Sequence, residues 1–466
     1  KSLQFAQLKI FMSPKKIIFL VIVVLVFVAL GIGFMYLANQ KPKQVISGKI
    51  TVWINEGLTD DFEKVIKAFH DADPANKNIQ VEVEKKSSTT VSGYNSLLLR
   101  AIADGNGPDI FMVQKNEYAP LESQLAKIPS DVIDITDFGR RFDPVFSDLI
   151  VSEKNPDTKI TTQSLLGVPL GYETLGVFYN RALLRNGAPT SWDQIELLYG
   201  QFPAGIFPTN LGLRRTFVPN ISDILPFFLG ESKVFSYKNL TNITSPFQKY
   251  YSFGDLINST NPDVTADIYS NNNTLRQTES QLKSNKNSTT IDEFLRGNIG
   301  MIVGYPSLIS ELEMSQKRVG GAGVEDLVYT DKIPQFSAKN PYNIAKYSFF
   351  GISKNSKNPD QALKFLQFLM SSQAQEISME IYPTLIPAQT EFHAAAAVKS
   401  LSEKFPKAKM DAFLLGPSMS VSVFDYGAKS IFDAMIDANW EDFSSLSSLS
   451  GLGERISKAI RCEIGE

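Results

Sequence analysis

The chain has 466 residues, 43% hydrophobic and 20% charged, an ordinary globular composition with length for roughly two or three domains. Its formal net charge of −3 leaves no basic excess to neutralise phosphates, which excludes nucleic acid as the main partner. One cysteine, Cys462, beside His70 and His393 rules out an intrachain disulfide and a structural Cys/His zinc site, and leaves a catalytic Cys/His pair only formally open. With no nucleotide-binding fingerprint in the chain, neither metal nor cofactor is expected.

Ile17 to Ala38 carry no charge and are flanked by Lys15-Lys16 and by Lys41 and Lys43. At about 1.5 Å per residue, a helix of that length matches a bilayer core of about 30 Å. The run exceeds a signal-peptide core, ends in Tyr36-Leu37-Ala38 rather than a small-x-small site, and has no lipidation cysteine after it. The expectation is one uncleaved N-terminal transmembrane helix over 17–38, with cleavage as the alternative. Residues 1–16 form a tail, either cytoplasmic or upstream of a start at Met12, and 39–48 form a polar linker. Lysines at both ends leave the orientation open on charge alone.

A regular alternation follows. ITVWI (Ile50–Ile54) predicts a strand, and Phe62, Val65, Ile66 and Phe69 recur at helical spacing after Thr59-Asp60. IQVEVE (Ile79–Glu84) alternates with period two. Tyr94, Leu97, Leu98, Ala101 and Ile102 form the next helical stripe, and PDIFMV (Pro108–Val113) a third strand. Such β-α-β-α-β order predicts an α/β fold with a parallel sheet, whose ligands bind beyond the carboxyl ends of the strands. Two polar loops occupy such ends, Asn55-Glu56-Gly57 and Gln114 to Tyr118. No phosphate-binding glycine loop is present.

Residues 270–290 are poor in large apolar side chains and read as a solvated insertion. Farther on, Asn358-Pro359 opens a helix with the stripe Ala362, Phe365, Leu366, Leu369 and Met370. Ala428, Ile431, Phe432 and Met435 mark another, and a last short helix is expected around Ile456–Ile460.

Five stretches in this order resemble the extracellular solute-binding proteins of ABC importers (family 1, which includes the maltodextrin-binding proteins). They are ITVWINEG, AIADGNGPDIFMV, GVPLGYETLGVFYNRALL with Ser191-Trp192-Asp193, FLRGNIGMIVGYP, and FFGISKNSKNPDQALKFLQFLM with PTLIPA. The resemblance implies a two-lobe type II periplasmic-binding-protein fold with discontinuous lobes. Lobe one is expected at 48–170 plus 306–350, and lobe two at 171–305 plus 351–466, with crossings near Gly171, Pro306 and Gly351. It further implies a non-catalytic receptor, held to the membrane by the N-terminal helix on the extracytoplasmic side. Such a receptor captures a small polar ligand, with a sugar favoured, for ABC permease subunits.

The resemblance also implies ligand contacts. Asn55 and Glu56 lie in the first binding loop, while Asn116 and Glu117 stand where maltodextrin-binding relatives carry an Asp-Arg pair. Glu173 lies where relatives place a ligand-binding acid, and Tyr172 either lines the cleft or packs at the hinge. Ser307 replaces a tryptophan of many relatives, which makes Tyr305 the candidate sugar platform. Phe424 and Tyr426 either supply another aromatic face or belong to the core of lobe two. Arg214, Arg215 and Phe217 fall in a further contact region, whereas Trp192 reads as structural. Carboxylates and amides suit hydroxyl groups, and aromatic faces suit pyranose rings. Two other readings stand beside this one: a ligand-presenting subunit of a sensory system, and a glycoside hydrolase using Glu56 and Glu173 as its acid pair.

Overall fold

A computed structural model describes residues 46–55, 61–86, 91–154, 156–203, 206–211, 218, 220–240, 243–259, 289–320, 323–415, 419–438 and 451–465. The expected membrane segment, Glu56, Arg214, Arg215, Phe217 and nearly all of the polar stretch 270–290 lie outside these residues. Among the described residues no helix is long and apolar enough to cross a membrane. From Gly48 onward the chain forms one compact unit.

The first alternation folds as its periodicity requires. Strands β1 (Gly48–Asn55) and β2 (Ile79–Lys86) pair in parallel from Gly48↔Ile79 to Asn55↔Lys86, and β3 (Ile110–Gln114) runs parallel on β1's other side. The intervening helices are Phe62–Ala72 and Val91–Ala103. Phe62, Val65, Ile66 and Phe69 are all buried, and the Phe69 ring meets Phe365 edge-on at 5.1 Å. In the second helix Tyr94, Leu98 and Ile102 are buried but Leu97 is 47% exposed. The buried stripe there follows the four-residue spacing, which leaves Leu97 on the shoulder.

Short strands β4 (Ile128–Pro129), β5 (Ile150–Lys154) and β6 (Thr161–Leu165) make a small antiparallel sheet. Then β7 (Val168–Thr174), buried along its whole length, joins the first sheet. Across Leu175 the chain passes to β8 (Gly176–Asn180) of a second sheet, which also holds β9 (Phe207–Thr209), β10 (Ile299–Gly304) and β11 (Val328–Lys332) in the order β11-β8-β10-β9. The strand β12 (Tyr342–Ile352) returns to the first sheet and lies between β7 and β3, antiparallel to both. Two short strands complete it, β13 (Ile386–Pro387) on β7 and β14 (Ser420–Ser422) on the first residues of β12.

β12 serves two cores. Phe349, Phe350 and Ile352 are buried in the first sheet, while Tyr342 and Ile344 belong to the apolar cluster around the second. That cluster centres on aromatic rings, with Trp192 packed 5.0 Å from Phe228 and 5.8 Å from Phe253. Trp192 is thus a core residue, as its place at the start of the helix Trp192–Leu198 suggests.

Sheet membership departs from the expected division in three places. The first crossing comes at Leu175, a few residues beyond Gly171. The segment after Pro306 does not cross at once: the helix Leu308–Val319 packs on the helix Thr290–Leu295, and β11 pairs with β8 in the second sheet. The helices Pro359–Leu369 and Ser372–Ile381, expected in lobe two, pack on β1, β12 and β7 and on the helix Phe62–Ala72. The crossover expected there from the family resemblance is instead the strand β10, which ends at Gly304 and is held in the second sheet by its antiparallel partner β8.

Candidate functional site

The strands of the first sheet bring their polar ends to one cavity of about 180 Å³. Asn55 closes β1 and Gln114 closes β3, while Glu173 of β7, Lys346 and Ser348 of β12, and Tyr382 line the same space. This is the carboxyl edge at which open α/β sheets take ligands. Gly171 also lines it. A β-carbon there would stand 2.6 Å from the Ile386 carbonyl oxygen, so the approach of β13 to β7 requires glycine.

Glu173 is held at this cavity by two partners. Its Oε1 accepts a hydrogen bond from the Ser307 backbone N–H at 2.9 Å, and its Oε2 lies 3.9 Å from Lys346 Nζ. Lys346 is its direct partner in the antiparallel register, and the ammonium rests 4.9 Å from the centre of the Tyr305 ring. The register slips between Tyr347 and Phe349, next to this pair. Tyr172, the neighbour of Glu173, turns away, as alternate strand residues must. Its hydroxyl donates to Asp143 Oδ2 at 3.0 Å, its ring meets Phe146 edge-on, and burial pushes its pKa up. Of its two expected roles, Tyr172 takes the packing one.

The turn after β3 behaves differently from a ligand loop open to solvent. Asn116 and Glu117 lie in a tight helical turn, Lys115–Glu117, and both are buried. Asn116 Oδ1 has no hydrogen-bond partner among the described residues. Glu117 accepts the Ser430 backbone N–H at 2.7 Å, at the start of the helix Lys429–Ala438, and its own carbonyl accepts from Asn95 Nδ2. Burial raises the Glu117 pKa, although the Ser430 bonds and the nearby Lys429 charge oppose the rise. Neither residue lines the cavity of Glu173.

Tyr305, Phe424 and Tyr426 have no open ring face in this conformation. Each is at most 2% exposed and belongs to the second core. The Phe424 and Tyr426 rings lie 4.4 Å apart at a tilt of 59°, and the Tyr426 hydroxyl reaches the Ser222 carbonyl at 2.8 Å and Asp223 Oδ1 at 3.1 Å. Beside them Lys429 bonds Ser222 and Asp433 and lies 3.5 Å from Asp223. Burial works against the Lys429 charge, but Asp223 and Asp433 outweigh it and hold its pKa above the ordinary lysine value. Their ring faces are covered because neighbouring core residues pack against them. Lys346 gives a single signal in the sequence, the one charge in the run Ile344 to Ile352.

A profile of the family described as bacterial extracellular solute-binding protein matches residues 58–406. Among solved structures, the sugar-binding protein MalE from Xanthomonas citri aligns with a TM-score of 0.60 at 17% identity, over 89% of this chain and 98% of that one. The maltose-binding periplasmic protein MalE from Listeria monocytogenes, in complex with maltose, aligns with a TM-score of 0.56 at 17% identity, over 90% and 98%. The GacH receptor of Streptomyces glaucescens gives a TM-score of 0.54 at 16% identity, over 90% and 99%. At these identities the likeness establishes the two-lobe α/β fold. Compared by sequence with curated proteins, the chain matches none.

Proposed function

Because the chain belongs to the bacterial extracellular solute-binding proteins, we propose that it captures a carbohydrate between its lobes and delivers it to an ABC importer. The observation that carries this reading is the Glu173 carboxylate, fixed by Ser307 N–H at a cavity whose other polar lining residues include Asn55, Gln114, Ser348, Tyr382 and Lys346. Such a set suits sugar hydroxyls, which donate and accept at the same oxygen. Several structural neighbours are named as sugar- or maltose-binding proteins, which supports the same class.

In this proposal Asn55, Glu173 and the adjoining Glu56 hold the ligand, and Asn116 and Glu117 join the cleft as the lobes move. The receptor binds without chemical change. The apolar run Ile17–Ala38 tethers it to the membrane, with the binding unit on the extracytoplasmic side, where an ABC permease would receive the sugar. Calorimetric titration of the full-length protein in detergent with maltose, maltotriose, trehalose and raffinose tests the reading. Saturable binding with the saccharide recovered intact supports it; no binding to any of them, or hydrolysis, sinks it.

A further inference from the structure

Lys346 has more to offer than its present contacts use. An ammonium carries three donors, yet among the described residues Lys346 Nζ meets only the Glu173 carboxylate at 3.9 Å and the face of Tyr305. The first distance is an ion pair, too long for a hydrogen bond. The second draws the charge without taking a directed proton. The Lys346 side chain remains 35% exposed at the cavity, and Glu173 Oε1 is already occupied by Ser307 N–H.

We propose that Lys346 is a ligand-binding residue which, together with Glu173, reads a vicinal diol of a neutral saccharide. The idea rests on the saccharide-binding reading above and narrows it. Two oxygens on neighbouring ring carbons lie about one hydrogen-bond length apart, which suits two groups separated by 3.9 Å. One hydroxyl donates to Glu173 Oε2, and the next accepts from Lys346 Nζ; both bonds are charge-assisted. The pair's charges cancel, and the polar neighbours Asn55, Gln114 and Ser348 are neutral. A sugar acid would draw Lys346 off Glu173 and leave a nearly buried carboxylate with one backbone N–H as its partner, a costly state.

The test titrates full-length protein with glucose, maltose, trehalose and raffinose, and with glucuronate and lactobionate. The tightest of the six is then measured on Lys346→Met, with Lys346→Gln as the second variant should the first fail to fold. A neutral sugar is expected to bind tightest, and either variant to weaken it by about ten- to a hundredfold. Deoxy analogues of that sugar supply a readout that a merely structural lysine would not move. The hydroxyl whose removal weakens binding to wild type should cost nothing further in the variant. Unchanged affinity in the variant, or an acid as the tightest ligand, overturns the assignment while leaving saccharide binding intact. If none of the six binds, the saccharide reading itself fails and this inference falls with it.

Discussion

The carboxylate of Glu117 accepts a hydrogen bond from the backbone N–H of Ser430 at 2.7 Å. The bond joins the turn that follows β3 of the first sheet to the first turn of a helix packed into the second core. The first-turn N–H groups of a helix have no partner within it, and an anion there is favoured by the helix dipole. Glu117 therefore acts as a cap supplied from the other lobe.

Glu117→Ala leaves the Ser430 N–H without this acceptor and should cost about 1–3 kcal/mol of stability in urea unfolding. It should also enlarge the radius of gyration of ligand-free protein in X-ray scattering, because a bond between the lobes is lost. An unchanged radius would mean that other contacts alone set the lobe arrangement.

The pH dependence has a definite sign. Burial raises the Glu117 pKa in the folded protein, so above the ordinary glutamate value the folded state binds more protons than the unfolded one. Stability from this group is then fully present at low pH and falls as pH rises through the raised value. Glu117→Gln should flatten that decline in a melting-temperature series from about pH 4 to pH 7. A series parallel to that of wild type would assign the decline to other groups.

Glu173→Ala should weaken the tightest-binding saccharide and also lower stability by about 1–3 kcal/mol, since Ser307 N–H loses its acceptor. Glu173→Gln keeps an oxygen for Ser307 and should cost affinity with little change in the unfolding midpoint. Equal losses of stability in both variants would make Glu173 a structural residue.

Lys429→Met removes the cation held by Asp433 and Asp223 within the second core. Two carboxylates would be left without it, and breaking a buried pair in this way costs about 3–5 kcal/mol. Denaturant unfolding measures the loss. A change below about 1 kcal/mol would place Lys429 among weak surface-type pairs.

Trp192→Ala empties the aromatic cluster formed with Phe227, Phe228, Phe253 and Phe336. The expected loss is about 3–5 kcal/mol, with saccharide affinity unaltered at temperatures where the variant stays folded. Weakened affinity in the folded variant would put Trp192 within reach of the cleft.

Much of this was legible from residue order because local periodicity reports local burial. Phe62, Val65, Ile66 and Phe69 declare a buried helix face, and Ile79 to Glu84 a strand, without reference to anything remote. The resemblance to binding proteins then pointed to Glu173, which the fold brings to the cavity. What local pattern could not carry was pairing between distant segments. Lys346 gains its meaning only from Glu173 across the sheet, and Tyr305 and Tyr426 from the core that covers them. An aromatic residue in a loop reads alike whether its face meets a sugar or a neighbouring helix. The same limit explains the lobe boundaries: the crossover expected from the resemblance is the strand β10, held by β8 in the second sheet.

Because β12 lies between β7 and β3, a nascent chain carries the first sheet in two separate pieces until Ile352 has been made. The β1-β2-β3 portion has an open edge throughout that time, and the second core still lacks Tyr342 and Ile344. Long-range pairing of this kind delays folding, since the intervening chain must be closed as a loop first. Neither the first sheet nor the second core can therefore be complete before β12 has been made. A chain halted before Tyr342 should resist protease nowhere in the first sheet, and resistance of the second core should wait for Phe424 to Ile460, which complete it.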